Sequence, residues 1–335
     1  MDVVKRVLSR RQSEIIRREV EDIADWATVN DLSLPEKILV TGASGFIGQW
    51  VLAGLVELLK SNPGAVVHCE TERYPEISQI WFPHLKKSML KTFEQQEYDL
   101  IFDLSLPRSG PSVQEQIDQA RHFYSNISKN ARLVKENGRL VHPSSGAVYG
   151  ELRFTDQLCE KLVSKPNDLS VYGEAKRGIE DLTTNFATNS IDFITPRIFS
   201  VFGPLMREDS PLVGNIFIRE AAKGNNVFAS LSKNVFRDFC FITDLVKQLI
   251  YIGVQGSVVK NINLGSQNVA EISRFGTIIS SVAKIDFEPG GISEKIDGYF
   301  GCLHELRKLP PFISSTETSL EEAVKKSVSF YKAIN

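Results

Sequence analysis

The chain has 335 residues, 42% of them apolar, enough to bury a large core spread over more than one lobe. A formal net charge of −2 offers no basic field for nucleic acid, and no run of residues approaches membrane-spanning length. Cys69, Cys159, Cys240 and Cys302 lie far apart with no C-x-x-C, the histidines show no ligand spacing, and the charged N-terminus lacks a signal-peptide core. This composition points to a cytoplasmic protein with reduced thiols, no disulfide frame and no metal.

Residues 1–35 form an N-terminal helical extension. Ile15, Ile16, Val20, Ile23 and Trp26 recur at helical spacing, which predicts an amphipathic helix over roughly 12–27. Its apolar face either packs on its own domain or makes a dimer or partner contact. Pro35 closes the segment. Lys37 to Gly48, K-I-L-V-T-G-A-S-G-F-I-G, then reads as strand, glycine turn and helix, with Ile47, Val51, Leu55 and Leu58 on one helical face. Gly42 would turn the chain off the strand, Gly45 would let backbone approach a pyrophosphate, and Gly48 would let the helix pack close to the sheet. A bare turn of this kind also occurs with no ligand.

Ala65 to Cys69 predict a second strand. An acid at its end, Glu70, would accept the ribose hydroxyls of NAD and repel the 2′-phosphate of NADP. Glu72 competes for that role, and Arg73 would instead pair with a 2′-phosphate, so NAD is favoured over NADP without being fixed. Tyr98 to Leu106 predict another apolar strand. Residues 112–136 carry helical periodicity with Gly138 as a cap, and Leu140-Val-His142 begin the next strand. Strands alternating with helices argue for an α/β fold with a doubly wound parallel sheet of Rossmann type.

Two features beyond that strand carry chemistry. One is Ser144-Ser145. The other is Tyr172-Gly-Glu-Ala-Lys176, where a four-residue helical step puts a phenol and an ammonium on one face. A tyrosine titrates near ~10 and is a poor base at neutral pH. A neighbouring ammonium and the positive ring of an oxidised nicotinamide would lower that value, and a serine hydroxyl would bond the same substrate oxygen.

The motifs T-G-A-S-G-F-I-G at 41–48, S-S-G-A-V-Y-G at 144–150, Y-G-E-A-K at 172–176, P-R-I-F-S-V-F-G-P at 196–204, R-D-F-C-F-I-T-D at 237–244 and N-L-G-S at 263–266 occur together. In order and spacing the chain from about residue 37 to 335 resembles the extended short-chain dehydrogenases/reductases, the NAD(P)-dependent sugar-nucleotide epimerases, dehydratases and ketoreductases. The resemblance implies Tyr172 as the catalytic tyrosine, Lys176 as its partner and a holder of the nicotinamide ribose, and Ser145 rather than Ser144 as the catalytic hydroxyl. It implies cofactor contacts at Gly42, Ser44, Gly45, Phe46, Ile47, Gly48, Glu70 and Leu104. It implies substrate contacts at Asn126, Ser145, Ser200, Asn215 and Arg237, the last on the diphosphate. Ser200 stands where many relatives have asparagine. Asp244 is expected to cap the helix that follows it. The second diphosphate arginine has no clean match, leaving Arg307 and Tyr299 as weak candidates.

The resemblance further implies a Rossmann domain at 36–203, with 238–265 returning to it. A smaller α+β substrate lobe would comprise 204–237 and 266–335. In that lobe a helix is expected from about Leu212 to Lys223, an extended piece at Val227 to Leu231, and helices over 271–283 and 318–332. Where relatives that dehydrate or decarboxylate carry acids after the catalytic hydroxyl, this chain has Gly146 and Ala147. That leaves C4 epimerisation of an NDP-sugar, or NAD(P)H-dependent reduction of a 4-keto sugar, as the implied reactions, with an inactive NAD(P)-binding regulator as the reading from another class. A homodimer is the implied assembly.

Overall fold

The computed structural model describes residues 8–70, 96–105, 125, 128–150, 159–161, 169–186, 191–257, 259–266, 268–313 and 317–333. The central sheet takes its strands from β1 (Lys37–Thr41), β2 (Val66–Glu70), β3 (Tyr98–Asp103), β4 (Val134–Val141) and, after the two-residue β5 (Ser144–Ser145), β6 (Asp192–Ile194). Their order is β2-β1-β3-β4-β6 and every pairing is parallel. Such strands are covered on both faces, which is why Ile38-Leu39-Val40 and Leu100-Ile101-Phe102 are continuous apolar runs with essentially no exposure.

Helix α1 (Arg10–Val29) lies over α2 (Phe46–Leu58) and α5 (Ile242–Gln255). Its buried stripe is Ile16, Val20, Ile23 and Ala27, so the amphipathic face packs within its own chain. The helix starts on a capping box in which Ser9 Oγ accepts from Gln12 N and Gln12 Oε1 accepts from Ser9 N. Ser9 Oγ also donates to Ala333 O (3.0 Å), Gln12 Nε2 donates to Phe330 O (3.3 Å), and Lys326 pairs with Glu19 (2.9 Å). These bonds tie α1 to α9 (Leu320–Lys332).

Between these ends, α3 (Val171–Phe186) follows the segment that carries Ser145. Strand β7 (Arg197–Ile198) sits between β5 and β11 (Asn263–Leu264), and β8 (Val201–Phe202) pairs with β10 (Cys240–Phe241). The remaining lobe holds α4 (Val213–Lys223), α6 (Ile272–Ala283) and the sheet β12-β9-β13, formed by β9 (Val227–Asp238), β12 (Val269–Glu271) and β13 (Phe287–Tyr299). Two short helices, α7 (His304–Arg307) and α8 (Pro310–Ile313), lead to α9.

Four local expectations are corrected. The helix expected through residue 136 gives way by Val134 to β4, and Gly138 lies inside that strand rather than at a helix cap. The cause is a bulge: Tyr98 pairs with Val134 but Leu100 pairs with Arg139, and Asn137 takes a φ of 62° to fit the excess. The strand then ends at Val141, so His142 stands just past it. The extended piece at 227–231 is instead a strand of 12 residues, because β13 and β12 pair along both its sides. Asp244 does not cap its own helix: the N-cap is Phe241, and the Asp244 carboxylate accepts from Thr318 N (3.0 Å) and Oγ1 (3.1 Å).

Candidate active site

The turn after β1 is built from backbone. Gly42 has a φ of 62°, and a Cβ there would lie 2.4 Å from the Leu104 carbonyl oxygen. At Gly48 a Cβ would lie 2.2 Å from Gly42 O, so neither position admits a side chain. Gly45 N donates to Gly42 O (2.8 Å), and Gly45 is the N-cap of α2 with no side-chain cap and no acid in the first turn. The helix dipole and the first N–H groups are therefore left for an external anion. Ser44, Phe46 and Ile47 are half-buried around this turn. Glu70 ends β2 in register with Thr41, beside the same turn. A pyrophosphate with its ribose fits this cradle of bare backbone and strand-end acid.

Ser145 and Tyr172 meet beyond β4. Ser145 is buried, and its extended backbone caps the short 3₁₀ turn Gly146–Tyr149, its Oγ accepting from Ala147 N (3.2 Å). The neighbouring Ser144 points elsewhere and donates to Glu180 Oε1 (2.6 Å), a structural bond. Tyr172 is 39% exposed, yet the protein packed around its phenol pushes the pKa up to about 12, with Tyr299 adding to the rise and a hydrogen bond with Ser145 opposing it. Lys176 is buried one helical turn on, its Nζ 6.0 Å from the Tyr172 ring centroid and donating to Pro143 O (2.7 Å). The expected lowering of the phenol by Lys176 is thus absent in this structure, because the ammonium bonds a backbone carbonyl and lies over the ring rather than at the oxygen. Burial lowers Lys176 itself to about 8, against the attraction of Asp103 and Glu180.

A buried ion pair holds these parts together. Arg197 donates to both oxygens of Glu180 (2.9 and 2.6 Å), to Tyr149 OH (2.8 Å) and to Glu160 O (3.1 Å). It thereby locks α3, which carries Tyr172 and Lys176, to the loop that carries Ser145. Tyr149 OH in turn donates to Asn263 Oδ1 (2.8 Å) on β11.

A second buried cluster spans the carboxyl ends of β1, β3 and β4. Asp103, fully buried, accepts from Thr41 Oγ1 (2.6 Å) and Ser105 Oγ (2.8 Å) and faces His142 Nδ1 at 3.0 Å. Burial works against its charge, but these hydrogen bonds hold its pKa down to about 2. His142 is pushed below the ordinary imidazole range by burial, so it stays neutral at pH 7 and its Nδ1–H donates to Asp103.

The proposed substrate residues divide. Ser200 and Arg237 line one cleft of about 250 Å³, with Leu212, Gly214 and Phe239 among its walls. Arg237 is held there by Asp297, whose Oδ2 accepts from Nη2 (2.8 Å). Asn215 is 2% exposed and spent on its own loop: its Nδ2 donates to Arg207 O (2.8 Å) and Ser210 O (3.2 Å), and its Oδ1 accepts from Arg219 Nε (3.0 Å). Asn126 lies outside the described residues, as do Glu72 and Arg73. Arg307 is exposed on α7, whereas Tyr299 reaches Ser145, its hydroxyl 3.2 Å from Oγ. Sequence reading attached no role to Asp103, His142, Glu180 or Arg197. A charged residue closing an apolar strand, as in Tyr98 to Asp103, was the available signal.

These features define an α/β dinucleotide-binding protein with a serine, a tyrosine and a lysine at the strand ends. Residues 38–265 match the family described as NAD dependent epimerase/dehydratase, and the chain belongs to that family, whose cofactor is NAD. It is 24% identical over 264 residues to UDP-glucuronic acid decarboxylase 6 of Arabidopsis thaliana, covering 75% of this chain and 76% of that one. Its fold matches UDP-glucose 4-epimerase of Thermotoga maritima with a TM-score of 0.69 at 20% identity, covering 88% of this chain and 98% of that chain. It also matches UDP-glucuronic acid 4-epimerase of Bacillus cereus, solved with UDP-glucuronic acid and NAD, with a TM-score of 0.70 at 20% identity over 89% of this chain and 100% of that chain. Among the described residues no helix is long and apolar enough to cross a membrane.

Proposed function

We propose that the chain is an NDP-sugar 4-epimerase, with Ser145, Tyr172 and Lys176 as its catalytic residues. NAD held by the Gly42–Gly48 turn supplies a reversible hydride acceptor. Tyr172 takes the proton of the C4 hydroxyl and returns it after the 4-keto sugar has turned its other face. Ser145 donates a hydrogen bond to the same oxygen. Lys176 supplies the positive charge that a phenolate needs, once its ammonium swings from Pro143 O toward the phenol. Arg237 leaves Asp297 to hold the diphosphate, with Ser200 lining the same cleft.

The observation that carries this reading over dehydration and decarboxylation is the wall behind Ser145. A Cβ at Gly146 would lie 2.5 Å from two ring carbons of Phe199 and 3.1 Å from Tyr299 Cζ, so no acidic side chain fits there. Position 146 is thereby closed to a second acid or base, which favours chemistry confined to C4.

The test is turnover of a panel of UDP-, dTDP-, GDP- and CDP-sugars by the purified protein. Interconversion of C4 epimers without added cofactor, on enzyme carrying tightly bound NAD, is the expected result. Stoichiometric NAD(P)H consumption with a 4-keto sugar would replace it by the ketoreductase reading. Release of CO₂ from UDP-glucuronic acid would overturn the argument from Gly146.

A further inference from the structure

The turn between β11 and β12 is gripped from two sides. From α5, Gln248 Nε2 donates to Gly265 O (2.7 Å) and its Oε1 accepts from Gly265 N (3.1 Å). From the end of β9, the Asp238 carboxylate accepts from Ser266 N (2.9 Å) and Ser266 Oγ (2.6 Å). The fit is tight, since a Cβ at Gly265 would collide with Asp238 Oδ2. What the turn holds is a wall of the substrate cleft. Ser266 Oγ accepts from Asn268 N (3.1 Å), and Asn268 O accepts from Phe239 N (3.3 Å). Beyond Asn268, Ala270 of β12 is the register partner of Arg237, and Ile272 opens α6. Arg237, Phe239 and Ile272 all line the cleft.

The grip of Asp238 depends on its charge. The side chain is 1% exposed, and its donors are one amide and one hydroxyl, both neutral. Arg237, its neighbour on β9, is paired with Asp297 instead. The titratable groups that bear on Asp238 from other elements are Glu317 ahead of α9, a like charge, and Cys240 on β10, a buried thiol pushed well above its ordinary range, on which Asp244 of α5 also bears. A carboxylate buried among neutral donors and beside a like charge takes up a proton more readily than an ordinary one. That proton would break the pattern. The carboxyl O–H could be received only by Ser266 Oγ, and the serine, itself 3% exposed, would lose the acceptor for its own hydrogen.

We propose that Asp238 is a positioning residue for the substrate cleft: as a carboxylate it fixes Ser266, and so the seating of β12 and Ile272 against Arg237, and on taking a proton it lets that wall slacken. The inference rests on the proposed function only for its bearing on sugar-nucleotide binding; the link from carboxylate to cleft wall stands by itself.

The test follows the Ile272 δ1 methyl by NMR in the full chain without ligand, from about pH 5 to 9. Its signal is identified by its loss in Ile272→Val. The methyl should move in one step with a midpoint near 7. It should hold still in Asp238→Asn, which keeps the size and an acceptor for Ser266 N but has no proton to gain. A flat signal in the unsubstituted chain, or the same step in Asp238→Asn, overturns the proposal. If that variant does not fold, Ser266→Ala decides, because it keeps the carboxylate and removes the hydroxyl: the step should shrink or vanish, and an unchanged step overturns the proposal. With a sugar nucleotide that turns over, KM should rise by a few fold on the acid side of the midpoint, and this rise should be missing in Asp238→Asn. A clear step in the methyl without turnover of any sugar nucleotide would leave the link standing while removing the epimerase reading.

Discussion

The hydroxyl of Tyr299 lies 3.2 Å from Ser145 Oγ, joining the last strand of the second lobe to the serine loop of the first across 154 residues of sequence. Ser145 also works against the burial that raises the pKa of Tyr172, so the serine bears on both phenols. Tyr299 is a half-buried phenol whose own pKa is raised by burial, which keeps it a donor and acceptor rather than an anion. Tyr299→Phe should therefore lower kcat by about tenfold by loosening Ser145, while Ser145→Ala lowers it by about a hundredfold. Steady-state kinetics on the two variants check this. Equal losses would place Tyr299 on the substrate rather than behind the serine.

On the proposed function, Tyr172→Phe removes the proton carrier and little else, since the ring keeps its packing beneath Lys176. Turnover should fall by about 10²–10⁴-fold, with NAD affinity within about twofold of the unsubstituted chain. Fluorescence titration of the cofactor and a discontinuous assay of epimer formation measure the two quantities separately. Undiminished turnover would transfer the proton step to another group.

Arg237 is spoken for in this structure: it donates to the Asp297 carboxylate and to Phe236 O (2.8 Å each). A diphosphate bound as proposed would compete with Asp297 for the same guanidinium. Arg237→Ala should weaken NDP binding by about tenfold or more, whereas Asp297→Asn, which removes the competitor, should tighten it by a few fold. Calorimetry with the free nucleoside diphosphate reads both. Weaker binding in Asp297→Asn would mean that the carboxylate orients the arginine instead of competing for it.

Lys176 illustrates a stability cost of function. Its pKa is about 8 in the folded chain against an ordinary 10.5, so between those values the unfolded chain holds more protons and stability rises with pH. Below that window the folded protein carries the whole penalty, of about 3 kcal/mol, partly offset by the bond to Pro143 O, worth about 1 kcal/mol. Lys176→Met should thus be more stable than the unsubstituted chain at pH 7, lose that advantage as pH rises toward 10, and show no turnover. Urea unfolding at several pH values tests the sign. A variant less stable at pH 7 would show that the hydrogen bond outweighs the burial.

What the sequence revealed and what it concealed divide by distance along the chain. The glycine turn and the Tyr172–Lys176 step rest on spacings of a few residues, which local geometry constrains. The parallel sheet was visible because strand and helix patterns alternate along the chain. Asp103 and His142 meet across 39 residues and Ser145 and Tyr299 across 154, so their partners exist only once strands are ordered. The partners of Asn215 were hidden for a related reason: a polar residue on a helix reads as surface until a loop folds over its amide nitrogen and a neighbouring arginine takes its oxygen. Gly138 misled because a glycine after a helical pattern is a common cap, and a bulge within a strand leaves the same signature.

The pairing of α1 with α9 imposes an order on synthesis. Ser9 and Ala333 are 324 residues apart, so the first helix leaves the ribosome long before its last partner exists. Until then part of the surface meant for α9 stays wet, and the stripe of Ile16, Val20 and Ile23 has only α2 and, later, α5 to shelter it. Completion of α9 closes that seam. A chain that stops before residue 326 leaves Glu19 half-buried in the folded body without its lysine, and presents an open seam that proteases and chaperones can read.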